Sequence, residues 1–589
     1  MRLGIDTGGT FTDVVAADGR VAKVASTPED PAHAVLRAVH AADADASVEV
    51  LAHGTTVATN ALLERRGATV SLVATEGFAD EIEIARQVRP SLYDPFADRV
   101  SPLVTRPRRH GVAERLDARG AELCAYDGAV PELDPPTTAV AVCLLHADLN
   151  PVHEQAVADA LRARYGLPIV CSHAISPEFR EYERMVTTVV EAFLQPVCGP
   201  YLARIAEYAR EVLVMTSAGG LVPAAEAAGT AAALLLSGPA GGVRAAAEVA
   251  ARCGFPDAVS FDMGGTSTDV CLIRGGVPDP APERVIGGLP IRLPALDVHT
   301  IGAGGGSIAR VDAGGALVVG PRSAGARPGP ACYGRGGVDP TVTDADLLLG
   351  RIAADAAFSD LGMLDVDAAR VALARTGVSA EGVVQVVDAA MEQAVRFVTV
   401  ERGVDPRELA QVAFGGSGPL HACAIAAALN MRAVVVPPRA GVCSASGLLC
   451  APRAREVVRT FTGNDVDGAL ARIAGEAAAL VPDAVVQTAV DCRYVGQSHE
   501  LTVPTVADFP AEHERRNGHA RPGAPVEVVA VRARAVAAAP LRLSDLPPVT
   551  RGFVSGPAAV AEQDCSVWIP AGWRAEPRAL GAWVIERTS

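Results

Sequence analysis

A ten-residue pattern occurs twice in this chain, once at the N-terminus and once near the middle. Residues 5–14 read IDTGGTFTDV and residues 261–270 read FDMGGTSTDV. In both copies an apolar run precedes the glycine pair and another follows it, which is typical of two strands joined by a tight turn. The separation is far larger than the roughly 20–50 residues of a solenoid repeat. We therefore predict two homologous lobes, each carrying one copy.

The residue types in this pattern suit a phosphate chain. Paired glycines let backbone N–H groups approach phosphate oxygens closely, and neighbouring hydroxyl groups can donate further hydrogen bonds. We predict that the two turns face each other and grip a triphosphate; tight turns capped by Asp and Thr are the alternative. The candidate phosphate-binding residues are Gly8, Gly9, Thr10, Thr12, Gly264, Gly265, Thr266 and Ser267.

Four aspartates, two in each copy, are the candidate catalytic residues. Asp6 and Asp262 end the strands before the glycines, where a carboxylate can hold Mg²⁺ through water. Magnesium favours that arrangement because it gives up its own waters reluctantly. Asp13 and Asp269 end the turns, where they can assist Mg²⁺, position the acceptor, or simply cap the turn.

A third glycine motif lies at residues 414–421, which read FGGSGPLH. It follows an apolar strand and opens a helix, so Gly415, Gly416 and Ser417 can let an adenosine ring lie against the backbone. The alternative is a turn that only bends the chain. A P-loop is excluded, because the only lysine, Lys23, does not lie in a G-x-x-x-x-G-K-[ST] loop.

Apolar strand segments alternate with helical ones up to about residue 455, which indicates an α/β fold. Within this region we predict a helix over 178–194 that stops before Pro196. Beyond it, short strands punctuated by Pro and Gly indicate a smaller α+β or β-rich domain. The predicted domains are an N-terminal lobe at 1–195, a second lobe at 196–455 and a C-terminal domain at 456–589.

Composition excludes several classes of protein. The net charge of −16 argues against a nucleic-acid scaffold, which needs a basic face. The twelve cysteines form no CxxC pair, which disfavours a structural zinc or iron–sulfur site. We find no export signal and no apolar run long enough to span a membrane, so a cytoplasmic protein is expected.

The three glycine motifs in this order resemble the actin, Hsp70 and sugar-kinase type of ATPase fold. Further segments make the chain resemble the hydantoinase A/5-oxoprolinase family, specifically its A-type subunit, over nearly its whole length. These segments are 51–63 (LAHGTTVATNALL), 178–194 (EFREYERMVTTVVEAFL), 237–243 (SGPAGGV), 296–307 (LDVHTIGAGGGS), 328–343 (PGPACYGRGGVDPTVT) and 493–501 (RYVGQSHEL).

This resemblance implies ATP- and Mg²⁺-dependent phosphorylation of the carbonyl oxygen of a cyclic amide such as a hydantoin, a lactam or 5-oxoproline. A B-type partner subunit would then complete ring opening. Related members are subunits of ketone carboxylases, and a small-molecule kinase or a regulatory ATPase of the same fold are further alternatives. The chain departs from the family pattern at Glu191 and Ala218, where asparagine is common, so a divergent biosynthetic role is also open.

Three further groups of residues are candidates. His53, Thr55, Thr56 and Asn60 form a polar strip for substrate or phosphate, or a helix N-cap. Arg86 and Arg89 can grip an anionic substrate or form surface ion pairs. A His–Asp–His metal site is the third candidate, against the alternative of core histidines, and it would comprise His146, Asp297 and His299.

Overall fold

The computed structural model describes residues 1–27, 29–42, 47–353, 357–358 and 362–588. The first lobe is built around the N-terminal hairpin, because the alternate residues Leu3 and Ile5 are fully buried. Its mixed six-stranded sheet has the order Leu221–Pro223, Glu211–Met215, Val50–Thr55, Arg2–Thr7, Phe11–Ala16 and Val21–Ala25.

A second, all-parallel sheet extends this lobe. Its strands, in spatial order, are Ile169–Cys171, Ala139–Cys143, Val70–Thr75 and Arg109–Val112. Residues 139–143 are all buried, as the continuous apolar run predicts. The longer helices of the lobe are Pro31–Ala42, Val57–Leu63, Val152–Tyr165 and Glu181–Ile205.

Helix Glu181–Ile205 corrects the prediction of a stop before Pro196. The helix continues through Pro196 and Pro200. Its C-terminal half buries apolar side chains, including Leu202 and Ile205, and this packing compensates for the hydrogen bonds that proline removes. The chain then forms strand Glu211–Met215, which pairs in parallel with the first sheet. Residues 196–223 therefore lie with the first lobe.

The second lobe repeats the arrangement of the first. Strand Ala258–Met263 forms a hairpin with Thr268–Arg274 and pairs in parallel with Ala410–Phe414 on its other side. Its nine-stranded sheet has the order Val277–Pro278, Thr268–Arg274, Ala258–Met263, Ala410–Phe414, Ala433–Val436, Trp583–Arg587, Trp573–Pro577 and Val554–Ser555, with Val298–Ile301 paired to Thr268–Arg274. The predicted α/β fold with two lobes is confirmed.

Helices pack against this sheet, and both lobes also contain short two-stranded pairs. The longer helices are Ser237–Arg252, Val342–Leu348, Val366–Thr376, Ala380–Val398, Gly418–Leu429 and Cys443–Cys450. The short helices are Glu81–Ile84, Ser172–Ile175 and Ala224–Ala228. The two-stranded pairs are Arg115–Leu116 with Glu122–Cys124, Pro280–Ala281 with Ala295–Leu296, Arg284–Ile286 with Leu289–Ile291, Ser307–Val311 with Leu317–Ser323, Ala357–Phe358 with Gly362–Met363, and Ala558–Ala561 with Ser566–Ile569.

The C-terminal region divides between two places. An antiparallel sheet has the order Ala454–Thr460, Val526–Val536, Val485–Tyr494 and Leu501–Val503, with helices Val466–Leu480 and Phe509–Asn517 beside it. The last strand, Trp583–Arg587, instead pairs with Ala433–Val436 of the second lobe. The region predicted as one domain, 456–589, thus contributes its end to the second lobe, because buried Trp583 and Ile585 complete that lobe's core. In the described parts of the chain, we find no helix with the length and hydropathy to span a membrane.

Close backbone contacts join the two lobes. Helix Cys443–Cys450 packs between strand Arg2–Thr7 and helix Ser237–Arg252. A Cβ at Gly447 would collide with the backbone oxygen of Gly241, and a Cβ at Gly4 would collide with that of Ala445. These glycines let the three elements approach without intervening side chains.

We predict that Gly447→Ala lowers the free energy of unfolding by about 2 kcal/mol, because the added methyl forces the two helices apart. The matched control is Gly475→Ala in helix Val466–Leu480, where a Cβ meets nothing within 4 Å. That change should raise stability by roughly 0.5–1 kcal/mol through helix propensity. Thermal and denaturant unfolding of both variants measures the difference, and equal effects would contradict the close-packing account.

Candidate functional site

The two repeated turns meet across one cleft. The hydroxyl oxygens of Thr10 and Thr266 lie 3.4 Å apart. A Cβ at Gly265 would lie 2.8 Å from the Thr10 hydroxyl, and a Cβ at Gly9 would lie 3.6 Å from that of Thr266. Each turn is closed by the same bond: the Gly8 N–H donates to the Phe11 carbonyl at 3.0 Å, and the Gly264 N–H donates to the Ser267 carbonyl at 3.1 Å. The glycines therefore keep the space between the turns open.

The cleft has a volume of about 540 Å³. Besides the turns, three helices begin at its wall, namely Ser237–Arg252, Gly418–Leu429 and Cys443–Cys450. Helix N-termini carry free N–H groups and a partial positive charge, which favours anions. The cleft thus combines glycine turns and helix termini that both suit phosphate groups.

Four aspartates line the same cleft. Asp6 lies directly opposite Asp13 in the first hairpin, and Asp262 lies opposite Asp269 in the second. Burial, and next the repulsion of Asp13, raise the pKa of Asp6 to about 7. Burial also raises the pKa of Asp269 to about 6, and it raises the pKa of Asp262 well above its ordinary value. The shared cause is burial, which disfavours the charged forms, and neighbouring carboxylates add to it for Asp6 and Asp262.

These carboxylates have few partners of opposite charge. The buried Oδ1 of Asp6 accepts no hydrogen bond from the described part of the chain. Asp262 accepts one from the Ser444 hydroxyl at 3.3 Å, and Asp269 accepts one from the Thr300 hydroxyl at 2.5 Å. Carboxylate oxygens of this kind are the ligands that a hydrated Mg²⁺ prefers. The residues present therefore fit a magnesium ion held between them and a phosphate chain.

Lys23 is a cleft residue that the sequence argument did not select. Its ammonium group lies 2.5 Å from Asp13 Oδ1 and donates to the Gly441 carbonyl at 3.2 Å. Burial raises the pKa of Asp13, and the charge of Lys23 opposes that rise. The sequence feature that could have identified Lys23 is its place on the strand that follows Asp13, because Asp13 and Lys23 lie opposite each other in that antiparallel pair.

The third glycine turn contacts the second hairpin at Asp262 and Met263. Gly415 has a φ of +81°, and a Cβ there would collide with the Asp262 carboxylate. Beyond Gly416 and Ser417, the cleft is lined by apolar and aromatic side chains, which suit a flat ring. These are Tyr333, Ile352, Leu364, Phe414 and Leu420.

The predicted polar strip is divided by the fold. Thr55, Thr56 and Asn60 line the cleft, but His53 is fully buried behind it. The His53 ring contacts the Ile5 carbonyl through Nδ1 at 3.2 Å and the Tyr201 hydroxyl through Nε2 at 2.7 Å. Burial lowers the pKa of His53 to about 4, so this side chain is a neutral core histidine. Its predicted contact with substrate is wrong.

Three other predicted residues also lie away from the cleft lining. Thr12 is fully buried and its hydroxyl is 3.1 Å from that of Ser26. Arg86 forms an ion pair with Glu183 at 2.5 Å, the surface role that was its alternative. Arg89 is exposed outside the cleft lining.

The predicted His–Asp–His metal site is wrong. Asp297 forms an ion pair with Arg402, and His299 stacks on Phe397 with ring centroids 4.1 Å apart. Among the described residues, neither they nor His146 belong to any group of three potential ligands. The fold separates these residues, because His299 pairs with Val270 in the sheet of the second lobe while His146 follows strand Ala139–Cys143 of the first lobe.

Glu191, one of the two departures from the family pattern, has a structural role. Its carboxylate accepts hydrogen bonds from the N–H groups of Ala231 at 2.8 Å and Ala232 at 2.7 Å. Burial raises the pKa of Glu191 to about 7. The other departure, Ala218, accepts a hydrogen bond from Arg534 through its carbonyl at 3.2 Å.

The fold and cleft define a two-lobed α/β protein with a duplicated glycine-turn site that suits a phosphate chain and a divalent cation. Residues 184–457 match the family described as hydantoinase/oxoprolinase, and residues 2–165 match the N-terminal region of that family. The chain belongs to the hydantoinase/oxoprolinase family. The resemblance found from the motifs is confirmed.

Individual relatives agree with this assignment. The chain is 32% identical to caprolactamase subunit alpha of Pseudomonas jessenii over 97% of both proteins. The crystal structure of the ATP-dependent caprolactamase from that organism superimposes with a TM-score of 0.83 at 28% identity, covering all of both chains. The acetophenone carboxylase gamma subunit of Aromatoleum aromaticum is 32% identical over 75% of this chain and 67% of its own length. The 5-oxoprolinase 1 of Arabidopsis thaliana is 34% identical, and the alignment covers 76% of this chain and 41% of that protein.

We predict that Asp6→Asn stabilises the ligand-free protein at pH 8 by on the order of 2 kcal/mol, because it removes a charge that burial disfavours. The pKa of Asp6 is raised from 3.8 to about 7 on folding. The cost of its charge is therefore complete above pH 7, and it shrinks as the pH falls from 7 towards 3.8. Unfolding curves between pH 4 and 8 measure this.

The control for this experiment is Asp159→Asn, which changes a highly exposed carboxylate on helix Val152–Tyr165. It should alter stability by less than about 0.5 kcal/mol at any of these pH values. A loss of stability in Asp6→Asn at pH 8 would contradict the raised pKa.

Proposed function

We propose that this chain binds ATP with Mg²⁺ between the two turns and transfers the γ-phosphoryl group to the carbonyl oxygen of a cyclic amide. A B-type partner subunit then completes ring opening. The observation that carries the proposal is the approach of the Thr10 and Thr266 turns over four carboxylates in one cleft. Relatives whose names describe ATP-dependent or lactam-directed enzymes support it.

Each part of the cleft has a role in this proposal. Backbone N–H groups of the turn residues that follow Gly8 and Gly264, such as Gly9 and Gly265, bind the phosphate oxygens together with the three helix N-termini, because the N–H groups of Gly8 and Gly264 themselves close the turns. The glycine turn at Gly415 and the apolar side chains beyond it hold the adenosine ring. Asp6 and Asp262 would hold the ion. When bound, Mg²⁺ neutralises charge on the phosphate groups.

Phosphorylation solves the chemical difficulty of an amide. The amide nitrogen delocalises its lone pair into the carbonyl, so the carbon resists attack. In the transfer, the carbonyl oxygen forms a bond to the γ-phosphorus while the bond from that phosphorus to ADP breaks. The nitrogen lone pair then forms a full C=N bond, which gives an O-phosphorylated imidate with a positive charge on nitrogen. The carbon of this intermediate is open to attack. Such transfers depend mainly on positioning and charge neutralisation. Thr56 and Asn60 line the first-lobe side of the cleft, where they can position the ring.

A ketone carboxylase subunit is the second candidate, favoured by the similarity to the acetophenone carboxylase gamma subunit. The phosphate site would be the same, and the acceptor would be the enolate oxygen of a ketone. A kinase that releases its product differs from both, since it needs no partner. Because ATP is the proposed substrate, the proposal includes a cytoplasmic location.

The proposal of a partner is supported by the residues that line the cleft. Its lining offers phosphate- and cation-binding groups, but no Ser–His–Asp or Cys–His arrangement among the described lining residues. The named relatives include an alpha and a gamma subunit, and this chain aligns with 41% of a plant 5-oxoprolinase. Both observations support a second polypeptide that completes the reaction.

We expect Asp6→Asn and Asp262→Asn each to lower Mg²⁺-dependent ATP turnover by about 100-fold or more, since each removes one proposed ion-holding charge. ADP release should be measured with a panel of lactams, hydantoins and ketones, which also separates the two candidate functions. His146→Gln, which lies outside the cleft lining, is the control and should keep the rate. Unchanged turnover in both aspartate variants would remove their proposed role.

We also predict that the isolated chain forms ADP in the presence of substrate but gives little ring-opened or carboxylated product. Product should appear when a B-type subunit is added, because the phosphorylated intermediate needs a second site. The measurement compares product and ADP with and without that subunit. Full product formation by this chain alone would establish a self-contained enzyme instead.

A further inference from the structure

We infer that the ring substrate of this chain is electrically neutral, such as an unsubstituted lactam, a hydantoin or a simple ketone, and that it carries no carboxylate of the kind found in 5-oxoproline. This inference rests on the proposed function and narrows its substrate class. It follows from the charges of the cleft lining and from the chemistry of the first-lobe end.

The lining is strongly acidic. Among its residues, all of which the structure describes, the acidic ones are Asp6, Asp13, Asp262, Asp269 and Asp564. The single basic side chain is Lys23, and it is already engaged by Asp13 at 2.5 Å and by the Gly441 carbonyl at 3.2 Å. It also lies over the Phe11 ring, 5.3 Å from the centroid, and only 16% of the side chain is exposed. Lys23 therefore does not offer a free cation to a substrate carboxylate.

Beside Asp6, part of the first-lobe wall of the cleft carries no charged side chain. Its lining consists of hydroxyl, amide and aliphatic side chains, namely Thr55, Thr56, Thr59, Asn60, Leu63 and Leu236. The Asn60 carboxamide offers both a donor and an acceptor, which matches the N–H and C=O of a cyclic amide. Leu63 and Leu236 provide apolar contact for ring methylenes. This composition suits a small neutral amide and supplies no counter-charge for an anion.

The arginines closest to this wall in the chain do not line the cleft. The buried Arg284 guanidinium donates through Nη1 to the Leu235 carbonyl and through Nη2 to the Ser217 hydroxyl, both at 2.8 Å, while its buried Nε has no hydrogen-bond partner in the described part of the chain. Arg65 donates to the Ser101 carbonyl at 2.6 Å. Arg86, the residue predicted to grip an anionic substrate, lies away from the cleft lining and pairs with Glu183. Each of these guanidinium groups has an acceptor that a substrate carboxylate would have to replace.

A bound nucleotide would increase the penalty for an anionic ring. The triphosphate adds negative charge next to the acceptor, so a ring carboxylate would approach both the phosphates and the aspartates. Like charges in a partly enclosed cleft repel more strongly than they do in water. Because nothing on the first-lobe wall offsets this repulsion, a carboxylated ring should bind and react less well than its neutral counterpart.

The test uses a pair of substrates that share one ring and differ by one carboxylate, 2-pyrrolidinone and 5-oxoproline. With saturating ATP and Mg²⁺, ring-dependent ADP release by the purified chain gives kcat/KM for each. We expect kcat/KM for 2-pyrrolidinone to exceed kcat/KM for 5-oxoproline by about tenfold or more, which is the size of effect that one unfavourable charge contact produces. Hydantoin against hydantoin-5-acetate is a second matched pair.

A variant separates charge from shape. Leu63→Arg introduces a cation at a half-exposed position of the wall, and it should raise kcat/KM for 5-oxoproline by about tenfold. Leu63→Gln, which is polar but uncharged, should give no such gain. A gain with glutamine equal to that with arginine would contradict the role of charge.

The outcomes separate the inference from the proposed function. If 5-oxoproline is used as well as or better than 2-pyrrolidinone by the wild-type chain, the inference is wrong while ATP-dependent amide activation stands. If no lactam, hydantoin or ketone stimulates ADP release, the proposed function and the inference fall together. If only neutral rings stimulate it, both are supported.

Discussion

The contact on which this structure depends is the approach of two Gly-Gly-Thr turns from different lobes. Thr10 and Thr266 come within 3.4 Å of each other, although they are 256 residues apart in the chain. That approach requires the lobes to pack closely below the turns, which the glycine contacts among strand Arg2–Thr7 and helices Ser237–Arg252 and Cys443–Cys450 permit. Larger side chains at those contacts would widen the cleft and separate its two phosphate-binding surfaces.

The same approach concentrates charge. Asp6, Asp13, Asp262 and Asp269 share one partly enclosed cleft, and Lys23 is the only lysine or arginine in its lining, all of which is described. The raised pKa values of the aspartates express the cost of this arrangement, and proteins keep such costs at functional sites. The helix N-termini in the cleft wall attract anions, whereas the aspartates attract cations. A cleft with both features is complementary to a polyanion accompanied by a divalent cation, and less so to either one alone.

Sequence reasoning predicted the features that are local. The repeated turns, the Gly415 turn and the α/β class all follow from short patterns whose geometry is set by neighbouring residues. Sequence reasoning failed where contacts between distant parts of the chain determine the local structure. The packing of helix Glu181–Ile205 overrides Pro196, and strand Trp583–Arg587 returns to a sheet formed more than a hundred residues earlier. The predicted metal site with His146 and Asp297 is wrong for the same reason, because tertiary packing gives these side chains other neighbours.

The most direct measurement is a crystal structure of the chain with a non-hydrolysable ATP analogue and Mn²⁺ in place of Mg²⁺. The account predicts phosphate oxygens between Gly8–Gly9 and Gly264–Gly265, with backbone N–H donors from both turns. It also predicts an anomalous peak for the ion at a water-mediated distance of roughly 4 Å from Asp6 and Asp262. A nucleotide held by one turn only, or bound outside the cleft, would contradict the claim that the duplicated turns form one phosphate site.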